Sequence, residues 1–233
     1  AETVQSRRDG VAAAGALSMS AMALDPIYIA MSQVVDFAGL GGELAMAAAD
    51  LAALQALRGS TRVPYVGVRS LKDRWLRRSF DRFVRLEISR GSPRAHRFEA
   101  FIAAESSWLE EYAVFRALHA RHEELPWHLW PAPLARAEAA AVAAARRSLH
   151  HEIRYRMYLQ WIAAEQWAEA KRLAWPVRIF GDLPFMNSAD SPDVWARQHE
   201  FRFDATIGVP PDAFSETGQD WGLPPWRWDV MAA

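Results

Sequence analysis

Apolar residues recur at three- and four-residue spacing through most of the first 174 positions, which is the pattern of amphipathic helices. Residues 43–57 are rich in Ala and Leu and have glycines on both sides, and this run predicts one helix. The following segment carries an apolar stripe that predicts the buried face of a second helix. The stripe consists of Val68, Leu71, Trp75, Phe80 and Phe83. We therefore expect this part of the chain to be mostly helical.

Two longer helices are predicted beyond residue 90. Aromatic residues at helical spacing in residues 95–119 predict a single helix with one buried aromatic face. After a break rich in Pro and Trp at 126–131, residues 135–174 predict a second long helix, because Leu149, Ile153, Met157 and Trp161 recur at every fourth position. Unbroken, this helix would span roughly 50–60 Å at a rise of about 1.5 Å per residue.

The pattern changes after residue 175. Residues 177–180 are mostly β-branched or aromatic and are followed at once by Gly181 and Asp182, which predicts a buried strand that ends in a turn. In a (β/α)8 barrel, polar side chains at that end of a strand face the active site, so Asp182 is a candidate site residue. Further on, residues 208–222 contain two prolines and three glycines, and we expect neither a regular helix nor a strand there.

A short capped helix is predicted between these two segments. Pro192 is expected at its first position, with Asp190 or Ser191 as the capping residue. Asp193 and Trp195 are expected to have structural roles in this helix.

Charge and composition exclude several classes of protein. The chain has 27 basic and 28 acidic residues, so no global field favours nucleic acid or an anionic membrane. Residues 69–90 do carry eight basic and three acidic side chains, but a solvated face of a core helix explains this better than a nucleic-acid site. The lack of cysteine excludes disulfides and thiolate metal sites and fits a cytoplasmic location. His119 and His122 could share a helix face, yet no third ligand is in view, and we predict no metal site.

The irregular segment 208–222 combines aromatic side chains with acids and amides. Phe214 and Trp221 supply the aromatic rings. Aromatic faces stack on the C–H surfaces of sugars, while carboxylates and amides bind sugar hydroxyls. The composition of this segment therefore favours carbohydrate binding.

Three motifs in this region resemble one family. The motifs GDLPF, DSPDVWA and GVPPDAFSETGQDWG are similar to those of the amylomaltases, the 4-α-glucanotransferases of glycoside hydrolase family 77. The resemblance extends more weakly to residues 18–29, 71–83, 98–119 and 159–174. It departs from the family at a Ser-Pro-Tyr that lines the glucose-binding cleft, where this chain has Ala14-Gly15-Ala16. This departure puts full substrate affinity in doubt.

The resemblance implies an α/β fold, a partial (β/α)8 TIM barrel with a large α-helical insertion. It divides the chain into a barrel-derived segment at 1–40, a helical insertion subdomain at 41–174, and a barrel strand with a substrate-binding loop at 175–233. The implied activity is transfer of α-1,4-glucan segments between maltooligosaccharides by a retaining double displacement. The implied partners are maltooligosaccharides and α-1,4-glucans, with no nucleic acid and no membrane, and no metal or organic cofactor is implied.

The resemblance assigns substrate binding, and not catalysis, to residues of this chain. The family's nucleophilic Asp, acid/base Glu and third Asp follow later barrel strands, and their motifs would come after Asp229. We therefore expect no catalytic residue in residues 1–233 and no activity from this chain alone. The expected substrate-binding residues are Asp182, Asp212, Phe214, Glu216, Gln219 and Trp221.

Two alternatives stay open at this point: a non-catalytic or vestigial α-glucan-binding module, and a purely structural all-α protein. The chain begins with Ala, which suggests a processed, trimmed or partial product. Because a barrel that lacks most of its strands has unpaired edges, we also expect marginal stability or self-association.

Overall fold

The computed structural model describes residues 2–3, 18–181, 186–213 and 215–231. Within these ranges the chain is mostly helical, as the hydrophobic pattern predicts. The α-helices are α1 (Val35–Gly39), α2 (Ala48–Gly59), α3 (Tyr65–Leu86), α4 (Pro93–Ala104), α5 (Leu109–Arg121), α6 (Ala132–Ala135), α7 (Ala139–Ser148), α8 (His150–Ala174), α9 (Pro192–Ala196) and α10 (Trp228–Met231). Short 3-10 helices lie at Pro26–Tyr28, Met31–Gln33, Gly42–Ala45, Ile88–Arg90, Trp127–Leu129 and Gln198–Glu200.

The strands of the described ranges form two small antiparallel sheets. One pairs β1 (Glu2–Thr3) with β2 (Ser18–Ser20), and the other pairs β3 (Ile207–Val209) with β4 (Gln219–Leu223). No helix of the described ranges is both long enough and apolar enough to cross a membrane.

The chain divides into two compact units. The helical unit comprises residues 24–107 and 155–180, and the hairpin unit comprises residues 1–23, 108–154 and 181–233. The boundaries expected at residues 40 and 174 separate barrel-derived segments from a helical insertion. The two compact units are a different kind of division, so those boundaries stay predictions.

The core of the helical unit is built on the apolar stripe of α3. Four of its five members are buried, and Val68 is half-buried. Phe83 lies at the centre, with its ring centroid 5.5 Å from that of Phe98 on α4 and 5.4 Å from that of Trp161 on α8. The predicted core face of this helix is therefore confirmed.

A buried carboxylate ties the helices of this unit together. Asp36 on α1 is fully buried, and it accepts hydrogen bonds from Arg82 at 3.0 Å, Arg94 at 2.6 Å and the Tyr158 hydroxyl at 2.8 Å. Burying a charge is costly unless partners compensate for the lost hydration, and here α3, α4 and α8 each supply one. Arg69 and Arg74 likewise pair with Asp25 and Asp50. The basic residues of α3 thus contribute to the packing of the unit.

The core of the hairpin unit is an aromatic cluster around α5. The Phe115 ring is fully buried and lies 5.4 Å from Trp130 and 5.8 Å from Trp195, measured between centroids. Trp195, on α9, also donates its indole N–H to the carbonyl of Leu134 at 2.8 Å. Helix α9 begins as predicted, with Pro192 first, and the Ser191 hydroxyl accepts the Val194 N–H at 3.2 Å.

The prediction of one helix over residues 95–119 is wrong. Helix α4 ends at Ala104 and α5 begins at Leu109. The break contains Ser106 and Ser107, and serine competes with the helix by bonding nearby backbone groups. The two halves also serve different cores, because Phe98 packs in the helical unit and Phe115 in the hairpin unit.

The long helix over residues 135–174 is also interrupted. Ala137 has a positive φ of 49° between α6 and α7, and Leu149 leaves helical geometry between α7 and α8. Apolar spacing alone cannot reveal these breaks, because the Ala-rich segment has a high helix propensity throughout. The stretch from residue 150 onward is helical as predicted, with Ile153, Met157 and Trp161 buried.

The predicted buried strand at residues 177–180 is absent from the structure. These residues pair with none of the described strands, and Val177 and Phe180 are 72% and 101% exposed. A strand needs a neighbour to satisfy its backbone groups, and the described residues place none beside this segment.

Candidate functional site

The segment 208–222 is a β-hairpin with an irregular tip. Val209 pairs with Gln219, Gly208 with Asp220 and Ile207 with Leu223, with a register shift between the last two pairs. The prediction that this segment contains no strand is therefore wrong at its two ends. Pro210 and Pro211 follow directly after β3, so neither removes a hydrogen bond from the ladder.

Gly208 allows the two strands to approach closely. A Cβ atom at this position would lie 2.0 Å from the carbonyl oxygen of Gln219, a distance that no side chain can occupy. The glycine is thus a requirement of the close strand contact. It fixes the start of the tip relative to β4.

Hydrogen bonds within the tip hold its backbone. The Asp212 carboxylate accepts the Ser215 N–H at 2.8 Å, and the Asp212 N–H donates to the Ser215 carbonyl at 2.9 Å. The Ser215 hydroxyl then donates to the Gly218 carbonyl at 2.7 Å. Asp212 and Glu216 are both exposed on this tip. The tip is therefore a loop held by hydrogen bonds among its own residues, and it exposes two carboxylates.

Strand β4 presents an amide and an indole side by side. Gln219 and Trp221 are two residues apart, so they share one face of the strand. The Trp221 indole N–H donates to the Gln219 side-chain oxygen at 3.1 Å. Gln219 is exposed and Trp221 is half-buried. This pair combines a flat apolar surface with a polar group at its edge.

Asp220 lies on the opposite face of β4 and has a local structural role. Its carboxylate accepts the Gly222 N–H at 2.8 Å. That backbone hydrogen bond, together with one from the Thr206 hydroxyl, holds the pKa of Asp220 below its ordinary value. Asp220 therefore stays ionised and helps to shape the strand at Gly222, where φ is +64°.

A second set of contacts anchors the base of the hairpin. The Phe201 and Trp226 rings pack at 4.2 Å between centroids. The Arg202 N–H donates to the Pro225 carbonyl at 2.8 Å, and the Arg227 N–H donates to the Glu200 carbonyl at 2.7 Å. The hairpin is thus fixed at its base, while its tip carries the exposed polar groups.

The structure places four of the six predicted binding residues on this hairpin. It brings Gln219 and Trp221 into contact and puts Asp212 and Glu216 on the tip. Asp182 and Phe214 lie outside the described residues. Their predicted roles, and a groove shared by Asp182 and Trp221, stay predictions.

A cluster that the sequence analysis missed lies at the end of α5. His119 contacts Glu124 and Asp190, although its spacing from His122 had only raised the question of a metal site. Among the described residues, no group of three or more His, Asp or Glu side chains could hold a metal ion. Of the residues in this cluster, the sequence singled out Asp190 only as a possible cap of α9. In the structure Ser191 caps that helix instead.

The comparison with protein families decides the assignment. The model of the 4-alpha-glucanotransferase family, glycoside hydrolase family 77, matches residues 17–233. The chain belongs to this family.

Individual members show the same relationship. A 4-alpha-glucanotransferase from Thermus thermophilus is 44% identical over 144 residues, which is 58% of this chain and 28% of that protein. One from Synechocystis is 32% identical over 229 residues, 93% of this chain and 43% of that protein. The fold of an amylomaltase from Streptococcus agalactiae, solved in complex with acarbose, matches with a TM-score of 0.77 at 27% identity.

The match to the family is partial in length. The structural match covers 93% of this chain but only 43% of the amylomaltase chain. The chain thus spans less than half the length of the Synechocystis relative and of the solved amylomaltase.

Proposed function

We propose that this chain supplies α-glucan-binding elements of a 4-α-glucanotransferase. The proposal is carried by the β3–β4 hairpin, which displays an indole, an amide and two carboxylates on one short element. The family assignment supports it, because the family model matches residues 17–233 and so includes this hairpin. The substrates proposed are maltooligosaccharides and α-1,4-glucans.

Each side chain of the hairpin suits one part of a sugar. The Trp221 ring stacks on the C–H face of a glucose unit, and its hydrogen bond to Gln219 fixes the plane of the ring. The carboxylates of Glu216 and Asp212 accept hydrogen bonds from sugar hydroxyls, and the amide of Gln219 can donate one as well. Phe214 and Asp182 extend this surface in the proposal, with Asp182 near the sugar whose bond is cleaved.

The proposed reaction is a retaining transfer. One carboxylate attacks the anomeric carbon and forms a covalent glucosyl intermediate, while a second protonates the oxygen of the departing sugar. The second carboxylate then takes the proton of another sugar's 4-hydroxyl, whose oxygen displaces the first carboxylate. Residues 1–233 contribute binding to this reaction and none of its catalytic carboxylates. A hairpin that covers the glucan and excludes water favours transfer over hydrolysis.

The fold proposed for the complete site is a (β/α)8 barrel with the helical residues as an insertion. Residues 177–180 form no strand in the structure, and their side chains are exposed, as is that of Trp175 beside them at 76%.

This exposed apolar segment leads us to propose self-association of the chain. A contiguous apolar surface is a common cause of association between copies. Sedimentation velocity over a range of protein concentrations should show species larger than the monomer. A single compact monomer at all concentrations would contradict the proposal.

Calorimetric titration with maltoheptaose tests the proposed binding function. We expect heat of binding that saturates, and no release of glucose from maltotriose by the same sample. Binding without turnover agrees with the assignment of these residues to binding. Absence of binding would contradict it and would favour a purely structural role.

A further inference from the structure

An open pocket lies between α2 and α3 in the helical unit. At one end of it, Asp50 on α2 accepts the Trp75 indole N–H at 2.9 Å and pairs with Arg74. At the other end, Leu57 packs against Gly67, where an added Cβ atom would lie 2.9 Å from Leu57 Cδ2. Between these contacts there is a cavity of about 320 Å³. Ligand pockets range from about 300 to 1,000 Å³, so this one has room for a small molecule.

The wall of the pocket is mainly apolar. Leu54 and Val68 line it from the stretches of α2 and α3 between the two contacts, and the segment 31–46 lines its other side. Leu54, Val68, Leu57 and the two methionines of that segment, Met31 and Met46, are all half-buried. Part of their apolar surface therefore still faces water. Methionine side chains are flexible and adapt to apolar ligands of varied shape.

The charged groups of the pocket are Glu43, Arg58 and Lys72. Glu43 and Arg58 are exposed, and they neutralise each other through hydrogen bonds of 2.6 and 3.0 Å. Lys72 is half-buried, and its Nζ donates to the carbonyls of Ile27 at 2.5 Å and Ile29 at 2.8 Å. Among the described residues, no carboxylate forms an ion pair with Lys72. An ammonium has three N–H donors, so one of them is available to a ligand.

The charge of Lys72 is only partly compensated by the protein. Burial lowers the pKa of Lys72 below its ordinary value of 10.5, and the charge of Arg69 adds to this effect while that of Asp25 opposes it. Asp25 is itself bound by Arg69 through hydrogen bonds of 2.7 and 2.5 Å. A carboxylate placed beside Nζ would therefore stabilise a cation that lacks a direct negative partner.

We propose that this pocket binds a small amphipathic carboxylate, with its anionic head on Lys72 and an unbranched apolar tail along Met31, Met46 and Leu54. The head matches a half-buried ammonium with a donor to spare, and the tail matches a wall of half-buried apolar side chains. The site takes a different class of ligand from the sugar of the proposed function, and it does not depend on that function.

Sodium octanoate is the probe for this site, and octanol supplies the same tail without the charge. Calorimetric titration should show that the unmodified chain binds both. K72M removes the charge but keeps a straight apolar side chain, so it should weaken octanoate binding about tenfold and leave octanol binding unchanged. K171M removes the other lysine of the chain, on α8, and should bind both ligands normally. Equal losses for the two ligands in K72M would overturn the role of Lys72.

A second pair of variants locates the tail. L54W places an indole in the pocket and should weaken the binding of both ligands by about tenfold or more. L44W makes the same substitution at a side chain that is 98% exposed and does not line the pocket, and it should bind normally. Circular dichroism checks that both variants are folded. Normal octanoate binding by folded L54W would overturn the proposal.

The two lysines provide an independent measurement. Because the chain has only Lys72 and Lys171, carbon-13 spectra of protein labelled at the lysine Cε give two lysine signals. Octanoate should shift the Lys72 signal and raise the pKa of Lys72, since a bound carboxylate favours the charged ammonium. The Lys171 signal should stay in place. An unshifted Lys72 signal at saturating octanoate would overturn the proposal.

The variant W221A separates this site from the proposed sugar site. It should bind octanoate as the unmodified chain does, because Trp221 lies in the hairpin unit and does not line the pocket. Loss of octanoate binding in W221A would place the ligand on the hairpin and contradict the proposal. Maltoheptaose binding without octanoate binding would overturn the pocket proposal alone, and the reverse result would overturn the proposed function alone.

Discussion

A buried carboxylate of the helical unit and two exposed carboxylates of the hairpin unit have opposite surroundings. In the helical unit, Asp36 is fully buried and is satisfied by two arginines and a tyrosine from three different helices. On the hairpin, Asp212 and Glu216 are exposed on a tip whose backbone is held by its own hydrogen bonds. The first arrangement contributes to the stability of the fold, and the second leaves carboxylate oxygens accessible to a ligand. The proposed binding surface is therefore on the hairpin, where the carboxylates are exposed.

The largest effect is expected from breaking the buried network. D36N removes the charge that compensates Arg82 and Arg94, whose side chains are 21% and 12% exposed. Removing one partner of a buried ion pair leaves an uncompensated charge, and we expect a loss of about 3–5 kcal/mol in the free energy of unfolding. Urea denaturation followed by circular dichroism measures this loss.

An exposed carboxylate of the same unit provides the control. Glu169 pairs with Arg172 on the surface of α8, and E169Q should leave the urea midpoint unchanged. Equal effects of D36N and E169Q would show that burial does not distinguish the two kinds of carboxylate.

The sequence predicts some features of this structure well and others poorly. The core face of α3 could be predicted because helical spacing directly marks buried positions, and Trp75, Phe80 and Phe83 are buried as expected. The break at Ser106 could not, since α4 contacts the core of the helical unit and α5 that of the hairpin unit. The break at Leu149 could not either, because no glycine or proline marks it in the sequence. The strand at residues 177–180 was predicted from composition, yet a strand also requires a partner, and the described residues provide none.

The candidate site was predicted from a motif and not from geometry. The spacing of prolines and glycines in residues 208–222 suggested an irregular loop, whereas Gly208 permits a close strand pair. His119 was missed because its partners, Glu124 and Asp190, are separated from it by five and 71 positions. Contacts over such distances in sequence leave no local pattern.

A substitution in the hairpin, G208A, is expected to reduce stability less than D36N does but to weaken glucan binding strongly. In G208A the added methyl group would clash with the Gln219 carbonyl oxygen, so β3 and β4 must separate. We expect maltoheptaose binding to fall by more than about tenfold, because the tip is no longer held in one arrangement. Calorimetric titration measures the affinity, and urea denaturation should show an unchanged midpoint for the helical unit.

A second glycine serves as the control for this substitution. Gly59, at the end of α2, has no heavy atom within 4 Å of the position of an added Cβ. G59A should bind maltoheptaose as the unmodified chain does. A normal affinity in G208A would show that the paired strands are not needed for binding.

The most direct test of the account replaces the indole that is proposed to stack on the sugar. Calorimetric titration with maltoheptaose should show that W221A binds about tenfold more weakly than the unmodified chain, the loss expected for an aromatic anchor. W175A removes a more exposed tryptophan, 76% accessible and in the helical unit, and should bind normally. The account is contradicted if W221A retains full affinity, or if W175A and W221A lose affinity equally.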